Sequence, residues 1–246
     1  MKFTIVTVCY NAASDIKKTL ESVLSQSYTN FQYIIKDGQS TDDTMSIISK
    51  VVNNDSRVVI KSCSDVGIYD AMNQALELSI GEYVFFLNAG DVLHDTEVLN
   101  KINLFVENND IDVIYGDIFW VGDERTRKKK YRHSYSKRLV YLLGDCICHQ
   151  ALFSKRELFD EKKYDINYKI CADREWQLFY LNKNIKFVPV KTVVADVLVD
   201  GFSLQNVGLF EKEVKECLTH YYPRYAWLYK TICRVRGLLK NEGTNY

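Results

Sequence analysis

The sequence predicts an α/β fold: a mostly parallel, doubly wound central sheet with helices on both faces. Three observations lead there. Short apolar runs alternate through the first half with segments whose apolar residues recur at helical spacing. The stretch Gly81-Glu-Tyr-Val-Phe-Phe-Leu-Asn-Ala-Gly-Asp91 is an apolar run bounded by turn residues, the pattern of a strand buried on both faces, as parallel sheets require. Polar residues also follow four successive strand-like runs: Tyr10 and Asn11, then Asp37, then Asp65, then Asn88 and Asp91. All of them fall at carboxyl ends of strands, where open α/β sheets bind ligands, so they should converge on one rim.

The elements follow in order. Phe3 to Cys9 is the first strand, and Ser14 can cap a helix carrying Ile16, Thr19, Leu20, Val23 and Leu24 on one face. Phe31 to Lys36 is the second strand. Ser40-Thr-Asp-Asp43 then offers a hydroxyl cap and two acids for the positive end of a helix running through Met45, Ile48 and Val52. Arg57 to Lys61 is the third strand, Ile68, Met72, Ala75 and Leu76 mark a third helix, and Tyr83 to Leu87 is the fourth strand. Asp112 to Gly116 reads as a fifth. Asp117 to Val121 and Lys129 to His133 read as a hairpin about Gly122-Asp123. Ala172 to Leu181 reads as a helix with Trp176 and Phe179 or Tyr180 inward, and Asp173 near its start suits the helix dipole. Ile185 to Val188 and Thr192 to Val197 read as two short strands, and the pattern is helical from Val207 onward.

Composition narrows the function. The 246 residues can bury a sizeable core and suit one domain or two closely joined lobes. Thirty-two basic residues balance 32 acidic ones, so the whole molecule carries no bias toward nucleic acid. Seven cysteines, odd in number and without repeated spacing, fit reduced thiols in a cytoplasmic protein. Cys146-Ile-Cys148-His149 lacks a second ligand pair at zinc spacing. Met1 to Tyr10 reads as a core strand rather than a secretion signal, and no apolar stretch approaches the ~18 residues of a membrane span. The run Arg125-Thr-Arg-Lys-Lys-Lys130 reads as a solvated loop. Residues 224–240 are basic and free of acids, interleaved with Trp227, Leu228, Ile232 and Val235. Such a helix suits either an anionic membrane surface or packing on the parent domain.

The rim residues suit a nucleotide and a metal. A carboxylate such as Asp91 can hold a divalent cation, because hard cations prefer oxygen ligands. No glycine-rich dinucleotide fingerprint or phosphate loop accompanies the rim, so a nucleotide bound there would need a metal to neutralise its phosphates.

Five stretches carry a family resemblance: Ile5-Val-Thr-Val-Cys-Tyr-Asn11, Lys36-Asp-Gly-Gln-Ser-Thr-Asp-Asp-Thr44, Asp65-Val-Gly-Ile-Tyr-Asp-Ala-Met-Asn73, Phe86-Leu-Asn-Ala-Gly-Asp91, and Cys148-His-Gln-Ala-Leu-Phe153 with Ala172-Asp173. The chain resembles a family 2 inverting glycosyltransferase of the small bacterial type that builds surface polysaccharides. That resemblance implies the GT-A fold, with a Rossmann-like sheet over residues 1–205. Residues 1–100 would form the nucleotide-sugar half, 101–205 the acceptor half, and 206–246 a C-terminal helical extension. It implies that Tyr10, Asn11 and Asp37 line the base and ribose pocket, that Asp65, Asp70, Asn73 and Asn88 form the donor side, and that Asp91 binds Mn2+ or Mg2+. Ala89-Gly-Asp91 keeps only one acid of the family's metal motif, so the donor diphosphate would supply further ligands. Asp173 matches the catalytic base, with Ala172 in place of the commoner glutamate, and a buried setting would raise its pKa. His149, Gln150 and Ser203 match positions near the donor sugar or acceptor.

The implied donor is a UDP- or GDP-sugar. The implied acceptor is a saccharide, lipid-linked at the inner face of the cytoplasmic membrane, where the protein would be cytoplasmic or peripheral. Two alternatives stand beside this. A nucleotidyltransferase would carry a glycine-rich basic loop after the first strand, which Tyr10-Asn-Ala-Ala-Ser14 is not. An inactive nucleotide-sugar-binding module would explain the thinned metal motif, but not the presence of both Asp91 and Asp173.

Overall fold

The computed structural model of the chain describes residues 1–122, 129–131, 146–199, 206–223 and 231. Strands β1 (Phe3–Cys9), β2 (Phe31–Asp37), β3 (Val58–Ser62) and β4 (Tyr83–Phe86) lie parallel in the order β3-β2-β1-β4. Every residue of β1, β2 and β4 is buried, whereas β3 is half-exposed at the sheet edge. The register sets Cys9 beside Asp37 and Asp37 beside Ser62, which aligns the carboxyl ends of three strands. Helices α1 (Ile16–Leu24), α2 (Thr44–Val52) and α3 (Ile68–Leu76) bury the faces their periodicity marks, except that Ile68 stands exposed at the start of α3. Gly81 leads into β4 against β1 so closely that a Cβ there would lie 2.4 Å from the backbone of Phe3 and Thr4. Only a glycine fits.

Both predicted caps are corrected. Ser14 donates to the Asp15 carboxylate, and α1 starts at Ile16 with no side-chain cap. Helix α2 starts at Thr44, later than the Ser40 to Asp43 signal implies, because those residues are spent tying the first two loops together.

The sheet continues beyond β4 in a way the alternation does not foretell. β5 (Val92–Leu93) and α4 (Val98–Val106) lead to β6 (Val113–Val121), which pairs with β7 (Lys129–Tyr131) as the expected hairpin. Between β4 and β6 sits β8 (Leu152–Lys155), antiparallel to both. The Phe85 and Phe153 rings stack 4.3 Å apart across that junction. Helices α5 (Arg156–Glu161) and α6 (Ala172–Asn182) follow. Trp176 and Tyr180 are fully buried, as the helical period requires.

The two short strands expected after α6 are one, β9 (Phe187–Leu198). Pro189 and the polar residues around it mimic a break, yet the chain absorbs them as an irregularity opposite Gly116, whose missing Cβ makes room for the Thr192 carbonyl. Helix α7 (Val207–Tyr221) packs on α6 through Val214, Cys217, Leu218, Leu178 and Leu181. Among the described residues no helix is long and apolar enough to cross a membrane.

Candidate active site

The rim is built in two parts. At the ends of β1, β2 and β3, Asp37 is wholly buried and accepts hydrogen bonds from Ser40 N, Ser40 Oγ (2.5 Å) and Ser62 Oγ (2.6 Å). Asn11, in the left-handed region at φ 48° that asparagine tolerates, accepts from Thr41 N at 2.9 Å and donates its own N–H to Ser40 Oγ. Thus Asp37 and Asn11 fix the loop walls. Tyr10 stands 63% exposed, its ring against Gly38. Asp65 reaches the same glycine, held by Lys36, a lysine with no exposed surface whose ammonium donates to Asp65 Oδ2 (2.8 Å), Cys63 O (2.7 Å) and Asp37 O (3.0 Å). All three donors of a buried ammonium are thereby matched, as burial demands.

The second part surrounds a cleft of about 1660 Å³ lined by Asn88, Asp91, His149, Gln150 and Asp173 among others. Two neighbouring residues of the turn at His149–Ala151 each hold a different carboxylate. Gln150 Nε2 donates to Asp91 Oδ2 at 2.8 Å, and the Leu198 N–H donates to Asp91 Oδ1 at 3.0 Å. His149 Nδ1 lies 3.0 Å from Asp173 Oδ2, and Asn88 Nδ2 lies 2.9 Å from His149 Nε2. With Asn88 donating, His149 carries its proton on Nδ1 and gives it to Asp173. The Asp173 Oδ1 oxygen also accepts from the Arg174 N–H (2.8 Å), and the Tyr69 hydroxyl lies 3.0 Å from it and 2.6 Å from the Ile170 carbonyl.

The two carboxylates are tuned in opposite directions. Burial pushes Asp91 up to about 6, against the lowering influence of Gln150, the Leu198 N–H and His149. Burial also opposes the charge on Asp173, but the His149 and Tyr69 hydrogen bonds and the Arg174 N–H outweigh it and hold its carboxyl below the usual range. The raised pKa expected from burial of Asp173 is therefore corrected: its donors win.

The described residues contain no group of three His, Cys, Asp or Glu poised around a metal. They do offer two hard oxygens at the end of β4. One is the Asp91 carboxylate, poorly compensated for its burial, and the other is Asn88 Oδ1, a buried acceptor without a hydrogen-bond donor. That donor set fits Mn2+ or Mg2+ if bound substrate completes it.

Two predicted residues serve as braces. Asp70 accepts from Val66 N and Gln74 Nε2. Asn73 exchanges two hydrogen bonds with the Tyr164 backbone, joining α3 to the second half of the chain. Ser203, most of the 125–130 basic run and nearly all of residues 224–240 lie outside the described residues. Tyr69 and Lys36, which touch Asp173 and Asp65, and Glu213, which holds the backbone of residues 169–171, are residues that sequence reasoning missed. Lys36 and Tyr69 sit inside the quoted motifs. Glu213 was signalled by an acid on the apolar stripe of Phe210, Val214, Cys217 and Tyr221.

Residues 4–172 match the family model described as Glycosyl transferase family 2. The chain belongs to that family. A PGL/p-HBAD biosynthesis glycosyltransferase of Mycobacterium bovis is 31% identical over 180 residues, 72% of this chain and 68% of that protein. The Escherichia coli UDP-Glc:alpha-D-GlcNAc-diphosphoundecaprenol beta-1,3-glucosyltransferase WfaP is 38% identical over 117 residues, 47% of this chain and 45% of its own. The fold matches S. aureus TarS 1-349 in complex with UDP-GlcNAc, with a TM-score of 0.69 and 18% identity over 90% of this chain and 68% of that one. It also matches the mannosyltransferase PcManGT from Pyrobaculum calidifontis in complex with GDP-Man and Mn2+, with a TM-score of 0.66 and 15% identity over 99% of this chain and 76% of that one. The family 2 chain is thus a glycosyltransferase of the GT-A fold, and its sheet is the mostly parallel one the sequence predicts.

Proposed function

We propose that this glycosyltransferase moves a sugar from a UDP- or GDP-sugar to a hydroxyl of a lipid-linked saccharide, with inversion at the anomeric carbon and dependence on a divalent cation. The product would be a surface polysaccharide such as O-antigen or capsule. The observation that carries this reading is the His149–Gln150 turn, which holds Asp173 and Asp91 in one cleft with opposite electrostatics.

Asp173 is the group that takes the acceptor proton. Its depressed pKa keeps it ionised at neutral pH, so it is available as a base but accepts the proton late, when the hydroxyl has become acidic by bonding to the anomeric carbon. Each carboxylate oxygen has more than one lone pair, and Oδ2 takes a single hydrogen bond from His149. When a proton arrives, the Tyr69 hydroxyl can turn its hydrogen from Asp173 to the Ile170 carbonyl and accept from Asp173 with its oxygen. Attack from the Asp173 side expels the diphosphate from the opposite face, which inverts the anomeric centre. A divalent cation held by Asp91 and Asn88 Oδ1 would supply charge neutralisation to the departing diphosphate. Tyr10, Asn11, Asp37 and Asp65 form the wall assigned to the nucleoside.

Two features support a lipid-linked acceptor met at the inner face of the cytoplasmic membrane. WfaP acts, by its name, on a diphosphoundecaprenol-linked sugar. The cleft mouth here exposes Val66, Ile68, Ile166, Leu198 and Val199, an apolar rim beside a polar interior.

The test is a transfer assay with UDP- and GDP-sugars, a polyprenyl-diphosphate saccharide and Mn2+. Wild type should turn over one donor class and lose activity with chelator. Asp173→Asn should lower kcat by roughly 10²- to 10⁴-fold, the usual worth of a positioned base, while nucleoside diphosphate still raises its Tm. Folded wild type that neither transfers nor shifts its Tm with any nucleotide would overturn the proposal.

A further inference from the structure

Glu213 is 4% exposed on α7, outside the stretches that resemble the family. Its carboxylate accepts three successive backbone N–H groups: Lys169 (2.8 Å), Ile170 (2.9 Å) and Cys171 (2.9 Å). Those residues run directly into α6, whose N-cap, Cys171, provides no side-chain cap. A helix start leaves N–H groups unpaired and carries partial positive charge, which a carboxylate satisfies on both counts. Glu213, on a different helix, takes the N-cap N–H and the two before it and so holds the entry to this helix.

The capped segment leads to the reacting group. Ile170 gives its N–H to Glu213 and its carbonyl to the Tyr69 hydroxyl, and that hydroxyl also meets Asp173 Oδ1. Asp173 lies in the first turn of the helix whose entry Glu213 holds. The connection is therefore double: through the helix start itself, and through Ile170 and Tyr69. Helix α7 is also built into the cleft, where Leu209 and Phe210 line the wall beside Lys169 and Ile170.

We propose that Glu213 is a positioning residue of the transfer reaction, setting the Asp173 carboxylate through the 169–171 backbone, so that the C-terminal helix is part of the catalytic apparatus. This rests on the transfer reading above. Neutral glutamine at 213 would present an NH2 group to N–H donors and release part of the segment. Binding of the donor nucleotide, at the far wall, should be unaffected.

Steady-state kinetics on the full chain, with UDP-glucose, UDP-N-acetylglucosamine or GDP-mannose, provide the test. Glu213→Gln should lower kcat roughly 10- to 100-fold, as small misplacements of a reacting group do, with donor KM within about twofold of wild type. Glu213→Asp, which keeps the charge, should recover part of the loss and serves alone if Glu213→Gln does not fold. Glu213→Gln combined with Tyr69→Phe should lose less than the product of the two single losses, because the two share the Ile170 branch. Losses that multiply, a kcat within about twofold of wild type, or a Glu213→Asp variant as impaired as a folded Glu213→Gln, would overturn the proposal. Folded wild type that neither turns over any of the three donors nor shifts its Tm with any nucleoside diphosphate would refute the transfer reading, and this inference with it.

Discussion

Asp91→Asn separates the cost of a buried charge from its use. Burial places this carboxyl at about 6 instead of 3.8. At 1.36 kcal/mol per pH unit, that displacement corresponds to roughly 3 kcal/mol of instability carried by the ionised form at neutral pH and above. The sign follows from linkage. The folded chain holds this proton more tightly than the unfolded chain, so the associated stability is complete below about 3.8 and is lost as pH rises through about 6. The substitution removes the charge and keeps the shape. The new amide oxygen can still accept from the Leu198 N–H, but Gln150 must turn its amide to accept from the new NH2 group. That turn gives up the contact between Cys148 Sγ and Gln150 Oε1, a loss of about 1 kcal/mol. The variant should thus exceed wild type by about 2 kcal/mol at pH 8, with the gap shrinking steadily toward pH 4. Urea unfolding at pH 8, 6 and 4.5, followed by tryptophan fluorescence, reads both quantities. Mn2+ with nucleoside diphosphate should stabilise wild type alone. A variant less stable than wild type at pH 8, or a gap that ignores pH, would refute the reasoning.

Two further substitutions test the frame around the site. Gly81→Ala forces a methyl to within 2.4 Å of β1 backbone, so thermal unfolding should show a loss of about 3 kcal/mol, or roughly 6–12 °C in Tm. Lys36→Met strips Asp65 of its buried partner and should cost about 3 kcal/mol in urea unfolding, part of it recovered when Asp65→Asn is added, because the Cys63 and Asp37 carbonyls stay without their donor.

The first half of the fold was legible because each element is local. Buried runs such as Tyr83 to Leu87 and helical stripes such as Ile16, Leu20 and Val23 announce themselves within a few residues. The second half depends on pairing between distant segments. The apolar part of β8 is only Ala151 to Phe153, and nothing nearby reveals that it inserts antiparallel between two parallel strands. The rim residues were legible through position after strands, yet their partners were not. Ser62 completes Asp37, Lys36 completes Asp65, and Tyr69 completes Asp173, each from a distant part of the sequence. The direction of the Asp173 pKa was misread for the same reason: burial can be guessed from sequence, whereas a set of converging donors cannot.

Asp91 is buried and Asp173 largely so, and burial alone would push both upward. What divides them is which side chain of one short turn each receives. Asp173 meets the histidine, whose Nδ1–H opposes desolvation, and gains Tyr69 as well. Asp91 meets the neutral glutamine, whose amide only partly offsets it. The arrangement leaves one acid ionised without outside help and the other short of positive charge, which is the division needed by a base and by a cation ligand. Because His149 and Gln150 are consecutive, neither carboxylate can be retuned by moving the turn without disturbing the other. A substitution that shifts the turn as a whole should therefore impair base and cation functions together, while His149→Gln or Gln150→Ala separates them.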